Sequence, residues 1–405
     1  MDKLRRDSKG NILREREGER SDGVYYYRYR KDGKRYYIYS KTLSTLREKV
    51  IKMSPISSIP DLSGSEAINK YGAIMTLNDL ADIYMENKKS FVERTTYNTM
   101  ICNYNYYVRN NIGGIKIVEL RDYSIRNLYL FLYLGENDLS LNTLSRINGI
   151  LSQMLKIAYE EEVITKNPTV NAIAEIKKME KENTKETRAL TRLEQKAFVD
   201  YCKKTTKHSN IKNLIFLLLG TGCRVGEALA LTWDDIDFAK NVININHAVA
   251  YTKNDDGHYG YYIKRPKTKA GNRDIPMLKD VRDALIDEKE KQLNLKQEQF
   301  EFDGYHNFVF VSKRGGFYSR ENISTQIKQI IDEYNAEEND IKLPDFSTNV
   351  LRHTFATRLC SRTADMKAVQ YIMGHKDICT TLKYYAEPTD EGIRNSMSSL
   401  EGVMF

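Results

Sequence analysis

The sequence predicts a mainly α-helical protein with small β elements, an α+β fold arranged in three domains. Three observations carry this prediction. The 405 residues suffice for two or three domains. Apolar residues recur at helical spacing through most of the chain. Strand-like sequence is confined to short stretches near the N-terminus and in the C-terminal half, and polar segments separate the regions.

Positive charge is concentrated at the N-terminus. Residues 1–53 hold 16 Lys and Arg against 8 Asp and Glu, so they carry the whole net charge of +8. The rest of the chain has 47 basic and 47 acidic residues and is therefore neutral. A basic segment joined to a balanced body is typical of a protein that binds a polyanion, most simply nucleic acid.

Cysteine, histidine and apolar patterns argue against several other classes. The five Cys form no CxxC pair, which disfavours a disulfide framework or a Cys-ligated zinc and fits the reducing cytoplasm. The six His are scattered, so we expect neither a metal nor a cofactor. The longest apolar run, Leu214–Leu219, falls far short of the ~20 residues that span a bilayer. We therefore expect a cytoplasmic protein without a membrane partner.

Strand chemistry dominates residues 1–53. Two alternating Tyr-rich runs, Val24–Arg30 and Lys34–Tyr39, flank an Asp-Gly turn and predict a β-hairpin. A strand near Ile12–Arg16 and a helix over Thr42–Met53 would complete a small three-stranded sheet plus helix. We expect its open face to enter a DNA major groove as a β-ribbon, the alternative being a solvated hairpin without a ligand. The residues expected to contact DNA are Arg28, Arg30, Lys34 and Arg35.

Two linkers bound a helical middle domain. Residues 54–75 are rich in Ser, Pro and Gly, and residues 177–190 are almost entirely polar and charged; both compositions predict linkers. Between them, residues 76–176 show helical periodicity. A polar-aromatic stretch that includes Tyr104 and Arg109 suits either packing or DNA contact. The expected helices are Leu77–Asn87, Thr95–Asn110, Ser124–Leu134 and Ser140–Glu161.

Residues 191–405 predict a third domain of mixed α and β structure. Helices are expected at Thr191–Lys204 and Asn210–Leu219, followed by a strand at Val242–Ile245. Tyr261–Pro266 and Arg273–Pro276 flank a Lys-Thr-Lys-Ala-Gly-Asn turn, and this pattern predicts a β-hairpin. From residue 279 onward the sequence is mostly helical.

Side chains suited to catalysis are most concentrated between residues 349 and 385. An Arg, two His and an adjacent Tyr pair project there from short helical segments. Arg224 and a Lys of the predicted turn join them. The set has no carboxylate cluster for Mg²⁺ and no phosphate-binding glycine loop. Two Arg, a Lys and a His suit a phosphodiester, because Arg makes paired hydrogen bonds to its oxygens. A Tyr beside such a site can be a covalent nucleophile.

Four separated motifs resemble those of the tyrosine recombinases, in the order that this family shows. The resemblance covers residues 191–390. The N-terminal hairpin and the helical middle region look like the arm-binding and core-binding domains of phage and conjugative-transposon integrases. Residues 191–405 would then be a catalytic domain of tyrosine-recombinase type with a C-terminal tail. The motifs are Thr221–Glu227, Leu351–Thr357, Met373–His375 and a Tyr ten residues after His375.

The resemblance implies a role for each matching residue. Arg224 and Arg352 would clamp the scissile phosphate, and His375 would hydrogen-bond it. Lys267 would protonate the leaving 5′-oxygen. Tyr385 would attack the phosphorus, giving a 3′-phosphotyrosyl link and a free 5′-hydroxyl. Attack by the 5′-hydroxyl of a partner strand would reverse the reaction, so that neither ATP nor a metal is required.

Three positions leave alternatives or depart from the family pattern. Lys269 competes with Lys267 as the general acid. Tyr384 and Tyr385 are adjacent, and helix geometry separates them by roughly 100°, so only one can face the phosphate; we favour Tyr385. Asn349 stands three residues before the second Arg, where the family has a His. Because Asn can hydrogen-bond but exchanges no proton, we expect a working but slower site.

We therefore expect a site-specific integrase that integrates and excises a mobile element, a conjugative transposon. The expected partners are double-stranded DNA with core-type and arm-type sites, a homotetramer on DNA, and an excisionase or host DNA-bending protein. A chromosome-dimer resolvase or a type IB topoisomerase would keep the same chemistry, although the basic N-terminal domain disfavours a resolvase. A DNA-binding regulator with weak catalysis is the alternative from another class, and Asn349 motivates it.

Overall fold

The fold comes from a computed structural model. The chain divides into two compact units, Met1–Thr184 and Lys185–Phe405. The structure describes residues 7–8, 13, 17–31, 34–43, 45–46, 49, 68, 72–180, 188–254, 256–266, 271–295, 300–337, 339–363, 365–382 and 398. Helices dominate these residues and the sheets are small, which confirms the predicted fold class. Among these residues, no helix is both long and apolar enough to cross a bilayer.

The N-terminal strands form an antiparallel sheet in the order β1-β2-β3. These strands are β1 (Glu17–Glu19), β2 (Tyr25–Lys31) and β3 (Lys34–Ser40). The strand predicted near Ile12–Arg16 falls, except for residue 13, outside the described residues. Residues 43, 45, 46 and 49 are helical, as predicted. Leu43 and Leu46 are buried with Tyr25, and they cover one face of the sheet.

The opposite face of this sheet combines Tyr rings with Arg side chains. Arg28 pairs with Tyr37 across β2 and β3, so the pleat places both on one face. Arg28 and Arg35 are exposed. Tyr37 and Tyr39 stack with ring centroids 6.1 Å apart. The structure does not describe the side chains of the other two expected DNA contacts, Arg30 and Lys34.

The rest of the first unit is helical, close to the predicted bounds. Thr76 starts the first helix, because its hydroxyl accepts the Asp79 N–H at 3.2 Å while the Asp79 carboxylate accepts the Thr76 N–H at 2.9 Å. Tyr104 is buried and donates to the Leu77 carbonyl at 3.0 Å, so it packs inside the unit. The helices are α1 (Leu77–Lys89), α2 (Arg94–Asn103), a π turn (Tyr104–Val108), a 3₁₀ turn (Ile117–Glu119), α3 (Asp122–Leu134), α4 (Leu141–Glu160) and α5 (Ala174–Glu180).

The second unit surrounds a buried central helix with further helices and short strands. That helix, α7 (Ser209–Thr221), buries residues on nearly all sides, which fits its apolar sequence. The helices are α6 (Arg192–Lys204), α7 (Ser209–Thr221), α8 (Val225–Ala230), a 3₁₀ turn (Trp233–Asp235), α9 (Lys279–Asn294), α10 (Arg320–Ala336), α11 (Thr348–Cys360), α12 (Met366–Met373) and α13 (Ile378–Leu382). The strands are β4 (Ile236–Asp237), β5 (Val242–Ile245), β6 (Ala248–Lys253), β7 (Tyr259–Lys264) and β8 (Arg273–Pro276).

The strand pairing predicted for this unit was wrong. We expected β7 and β8 to form a hairpin, but β7 pairs with β6 and β8 pairs with β5. The reason lies in the faces that the strands bury. Ile243 of β5 and Ile275 of β8 are in register and both buried, so their pairing forms one apolar face against the core. Tyr261 of β7 instead packs against Tyr251 of β6, and their ring centroids lie 4.9 Å apart.

The single Trp of the chain gives a probe for this unit. Trp233 donates its indole N–H to the Gln292 side-chain oxygen at 2.9 Å, and the Gln292 amide donates to the Val309 carbonyl at 2.7 Å. Gln292→Leu removes the hydrogen-bond partner of both the Trp233 indole N–H and the Val309 carbonyl. We therefore expect the free energy of unfolding to fall by about 2–3 kcal/mol. Urea unfolding followed by Trp fluorescence measures it. The exposed Glu290→Gln on the same helix is the control; equal midpoints in both variants would contradict the role of this network.

Candidate active site

Four of the predicted catalytic residues are described, and they lie on neighbouring segments of the second unit. Arg224 immediately precedes α8, Arg352 lies in α11, and His375 follows the end of α12. Asn349 is exposed in the first turn of α11, one turn before Arg352. The other predicted site residues lie outside the described residues: Lys267, Lys269, Tyr384 and Tyr385.

Arg352 is the buried centre of the site. It is 7% exposed, and its guanidinium donates to the Gly222 carbonyl and to the Met373 carbonyl, each at 2.6 Å. It also contacts His375 Nε2 at 3.0 Å. Burial, together with the charges of Arg224 and Arg273, lowers the pKa of Arg352 to about 10. The side chain therefore stays protonated at neutral pH and brings three segments together.

His375 is held as a neutral imidazole. It is 4% exposed, and its Nδ1 lies 3.0 Å from the Thr381 hydroxyl. Because Arg352 can only donate, Nε2 accepts and the ring proton sits on Nδ1. Burial, followed by the charges of Arg352 and Arg224, lowers the pKa of His375 to about 4. In this arrangement the ring fixes the orientation of Arg352.

Arg224 is the more accessible arginine of the pair. Its side chain is 49% exposed, and it donates to the Glu227 carboxylate at 2.8 Å and, at a weak 3.5 Å, to the Gly374 carbonyl. Glu227 also accepts the main-chain N–H of Arg224 at 2.8 Å. One carboxylate therefore both caps α8 and orients the Arg224 guanidinium. Burial favours a raised pKa for Glu227, but Arg273 and Arg224 outweigh it and lower the pKa to about 2.

Arg273 belongs to this cluster and was missed in the sequence. Its side chain is fully enclosed, and it donates to Glu227 at 2.9 Å and to the Ile372 carbonyl at 2.7 Å. The sequence did contain a signal for this residue. Arg273 lies two positions before Ile275, so both side chains face the buried side of β8. An Arg at an inward position of a strand requires buried partners.

Two glycines in left-handed conformation supply main-chain acceptors to the site. Gly222 and Gly374 end α7 and α12 with φ angles of 63° and 62°. A Cβ on Gly222 would lie 2.3 Å from the Phe355 ring, so this position also requires the absence of a side chain. The carbonyls at both helix ends carry partial negative charge, which favours the arginines that cap them.

A second contact set ties α11 to the start of the domain. Thr354, fully buried two residues after Arg352, accepts the Leu190 N–H at 3.0 Å. Arg358 donates to the Leu190 carbonyl at 2.6 Å and to Gln195 at 3.1 Å. Both main-chain groups of Leu190 are thus bonded to the helix that carries Arg352.

The cluster is chemically suited to a bound phosphodiester. Three guanidinium groups and one carboxylate lie together, while His375 is neutral, so the cluster has a positive balance. Among the described residues, Arg352 uses three of its five N–H donors for protein acceptors. A phosphate diester carries one negative charge and oxygens that accept paired hydrogen bonds from Arg.

Comparison with known proteins identifies the class. Residues 188–391, half of the chain, match the Phage integrase family, and residues 1–53 match the DNA binding domain of Tn916 integrase. The chain therefore belongs to the phage integrase family, the tyrosine recombinases, which transfer DNA strands. As a family these enzymes require neither metal nor ATP. The resemblance predicted from the four motifs is confirmed.

The relatives narrow the class to the Tn916 type of conjugative-transposon integrase. The transposase of transposon Tn916 from Enterococcus faecalis is 30% identical over an aligned length of 412, which covers 99% of this chain and 97% of that protein. The solved Tn1549 transposon integrase, in complex with a circular intermediate DNA, is 27% identical with a TM-score of 0.71 and covers 80% of this chain and 99% of its own. A lambda integrase dimer on a core site shares the fold at 16% identity and a TM-score of 0.53, over 93% of this chain and 96% of its own.

The neutral state of His375 predicts a pH dependence of stability. Its folded pKa of about 4 lies below the ordinary 6.5, so the unfolded chain binds more protons between these values. Stability should therefore fall as the pH drops from 6.5 to 4, by up to about 3 kcal/mol. Urea unfolding monitored by Trp fluorescence at pH 7, 6 and 5 tests this. His375→Asn should flatten the curve, and parallel curves for the two proteins would refute it.

Proposed function

We propose that this chain integrates and excises a conjugative transposon by cutting and rejoining DNA at the cluster of Arg224, Arg352 and His375. One observation carries the assignment. Arg352, from α11, and Arg224, before α8, both reach the carbonyls at the end of α12, directly before His375. Three segments distant in sequence thereby present two Arg and one His at one place. Such a group clamps a scissile phosphate.

Phosphate binding would change the state of His375. The charges of Arg352 and Arg224 contribute to its low pKa. The negative charge of a phosphate between the two guanidinium groups opposes that effect and raises the pKa of the ring. A protonated or re-oriented His375 can then donate to a non-bridging oxygen, while the remaining N–H donors of Arg352 bind the phosphate. The transition-state charge meets donors already in place.

Tyr385 and Lys267 are proposed to carry the covalent steps. The Tyr385 hydroxyl gives its proton to solvent while its oxygen attacks the phosphorus; the 3′-phosphotyrosyl bond forms and the bond to the 5′-oxygen breaks. Lys267, or Lys269 in its place, gives a proton to that oxygen. The 5′-hydroxyl of a partner strand then attacks the phosphotyrosyl bond and releases Tyr385. One phosphodiester is exchanged for another, so the reaction consumes no external energy.

Each domain of the chain is assigned a part in DNA binding. Residues 1–53 are proposed to bind arm-type sites through the face that carries Arg28, Arg30, Lys34 and Arg35, and the exposure of Arg28 and Arg35 supports this. Residues 76–176 and 191–405 would bind the core site, with linkers at 54–75 and 177–190. The solved Tn1549 integrase, which lacks its first 81 residues, is bound to transposon circular-intermediate DNA.

The working assembly is proposed to be a cytoplasmic homotetramer on DNA, with an excisionase or a host DNA-bending protein as a further partner. Lambda integrase, which shares the fold, forms a tetramer on a Holliday junction. Exchange of both strands of two duplexes needs four active tyrosines. Size-exclusion chromatography with light scattering on a four-way junction tests the stoichiometry.

The nucleophile is identified by trapping. We expect wild-type protein to form a covalent adduct on a nicked suicide substrate that carries an end of the encoding element. Tyr385→Phe should abolish the adduct, because the attacking oxygen is lost, whereas Tyr384→Phe should retain it. Denaturing gel electrophoresis of labelled DNA measures both. The reverse pattern would assign Tyr384 instead, and an absent adduct in wild type would support the non-catalytic regulator.

Asn349 is expected to limit the rate. It lies in the first turn of α11, one turn before Arg352, and cannot take a proton from the attacking Tyr. Asn349→His would restore a group that can, and we expect single-turnover cleavage to rise by about 100-fold, at the low end of general-base effects. Asn349→Gln keeps the amide and is the matched control. An unchanged rate in Asn349→His would mean that this position is not limiting.

A further inference from the structure

Arg273 occupies a position that the phosphate-binding scheme does not explain. Its side chain has 0% exposure, so it does not contact DNA. It donates through Nη2 to Glu227 Oε2 at 2.9 Å and through Nε to the Ile372 carbonyl at 2.7 Å. One buried cation thus joins β8 to α8 and to the end of α12.

Three successive carbonyls at the end of α12 are each capped by a different arginine. Arg273 bonds Ile372 at 2.7 Å, Arg352 bonds Met373 at 2.6 Å, and Arg224 approaches Gly374 at 3.5 Å. His375 is the next residue in the chain. The last carbonyls of a helix have no partner within it and attract cations. These three side chains therefore hold the main chain that leads directly into His375.

The same guanidinium also controls the second phosphate-binding arginine. Glu227 accepts from Arg273 on Oε2 at 2.9 Å and weakly on Oε1 at 3.5 Å. Its Oε1 also accepts from the Arg224 guanidinium, and its Oε2 accepts the Arg224 main-chain N–H. Without Arg273 the Glu227 carboxylate would be buried beside Arg224 alone. It would then hold Arg224 more strongly and draw it from the position suited to the phosphate.

We propose that Arg273 is a positioning residue of the recombination reaction, which sets Arg224 through Glu227 and His375 through the Ile372 carbonyl. The inference rests on the proposed function of the Arg224–Arg352–His375 cluster. Lysine is a poor substitute, because a single ammonium group cannot donate in two fixed directions as the planar guanidinium does. Arg273 acts only through its neighbours.

Single-turnover cleavage of the nicked suicide substrate tests this proposal. For Arg273→Met we expect a loss of about 100-fold in the cleavage rate, a typical result of a small displacement of reacting groups. Arg273→Lys should fall between this variant and wild type. The affinity for the same DNA should change by less than about 3-fold, since Arg273 does not reach the phosphates. The control is Arg282→Met, which removes a partly buried Arg bonded to the Phe238 carbonyl outside the site; it should cleave at the wild-type rate.

A second readout separates positioning from general destabilisation. The charge of Arg273 contributes to the low pKa of His375, so the His375 pKa should rise in Arg273→Met. NMR titration measures it, with His375→Asn to assign the signal. If Arg273→Met unfolds, the double variant with Glu227→Gln removes both members of the buried pair, and its slow cleavage relative to Glu227→Gln alone would support the role.

Three outcomes would overturn the proposal. Cleavage by a folded Arg273→Met within about 3-fold of wild type would show that Arg273 positions nothing that the reaction needs. An equal loss in Arg282→Met would reduce the effect to general stability. An unchanged pKa of His375 would remove the link to α12. If wild-type protein gives no adduct, the proposed function fails first; if only the Arg273 variants behave as wild type, that function stands and this inference alone falls.

Discussion

The arrangement of the site depends on the burial of the charged Arg352 side chain. A guanidinium buried without partners would cost several kcal/mol, so the surrounding backbone must supply acceptors. The ends of α7 and α12 do so through the Gly222 and Met373 carbonyls, and His375 adds a ring nitrogen. Each partner in turn requires a particular local geometry. The left-handed glycines, the neutral imidazole and the meeting of three helices all follow from this one buried cation.

The cluster is charged before DNA is bound. Three arginines face one carboxylate, and this carboxylate stays ionised even under acidic conditions because its pKa is about 2. The desolvation cost of Arg352, Arg273 and Glu227 is therefore met during folding, whereas Arg224 remains half exposed. Donors that are already dehydrated and oriented need little rearrangement when charge develops on a phosphate. The stability of the second unit and the readiness of its site are consequently two results of the same contacts.

The sequence predicted well what side chains reveal and poorly what depends on the backbone. Arg224, Arg352 and His375 were predicted from their residue types and spacing, and the structure places them side by side. Arg273 was missed because its partners are a carbonyl of another helix and a carboxylate 46 positions away. The β7–β8 hairpin was predicted from proximity along the chain, whereas pairing follows the apolar face shared by β5 and β8. Helix bounds were close because periodicity and caps are local signals.

The hydrogen bonds to Leu190 couple the start of the second unit to α11. The Leu190 N–H donates to Thr354 of α11, and the Leu190 carbonyl accepts from Arg358 of the same helix. Thr354 is only two residues from Arg352, and a helix is stiff over that distance. A displacement of the chain at Leu190 would therefore also move the helix that carries Arg352.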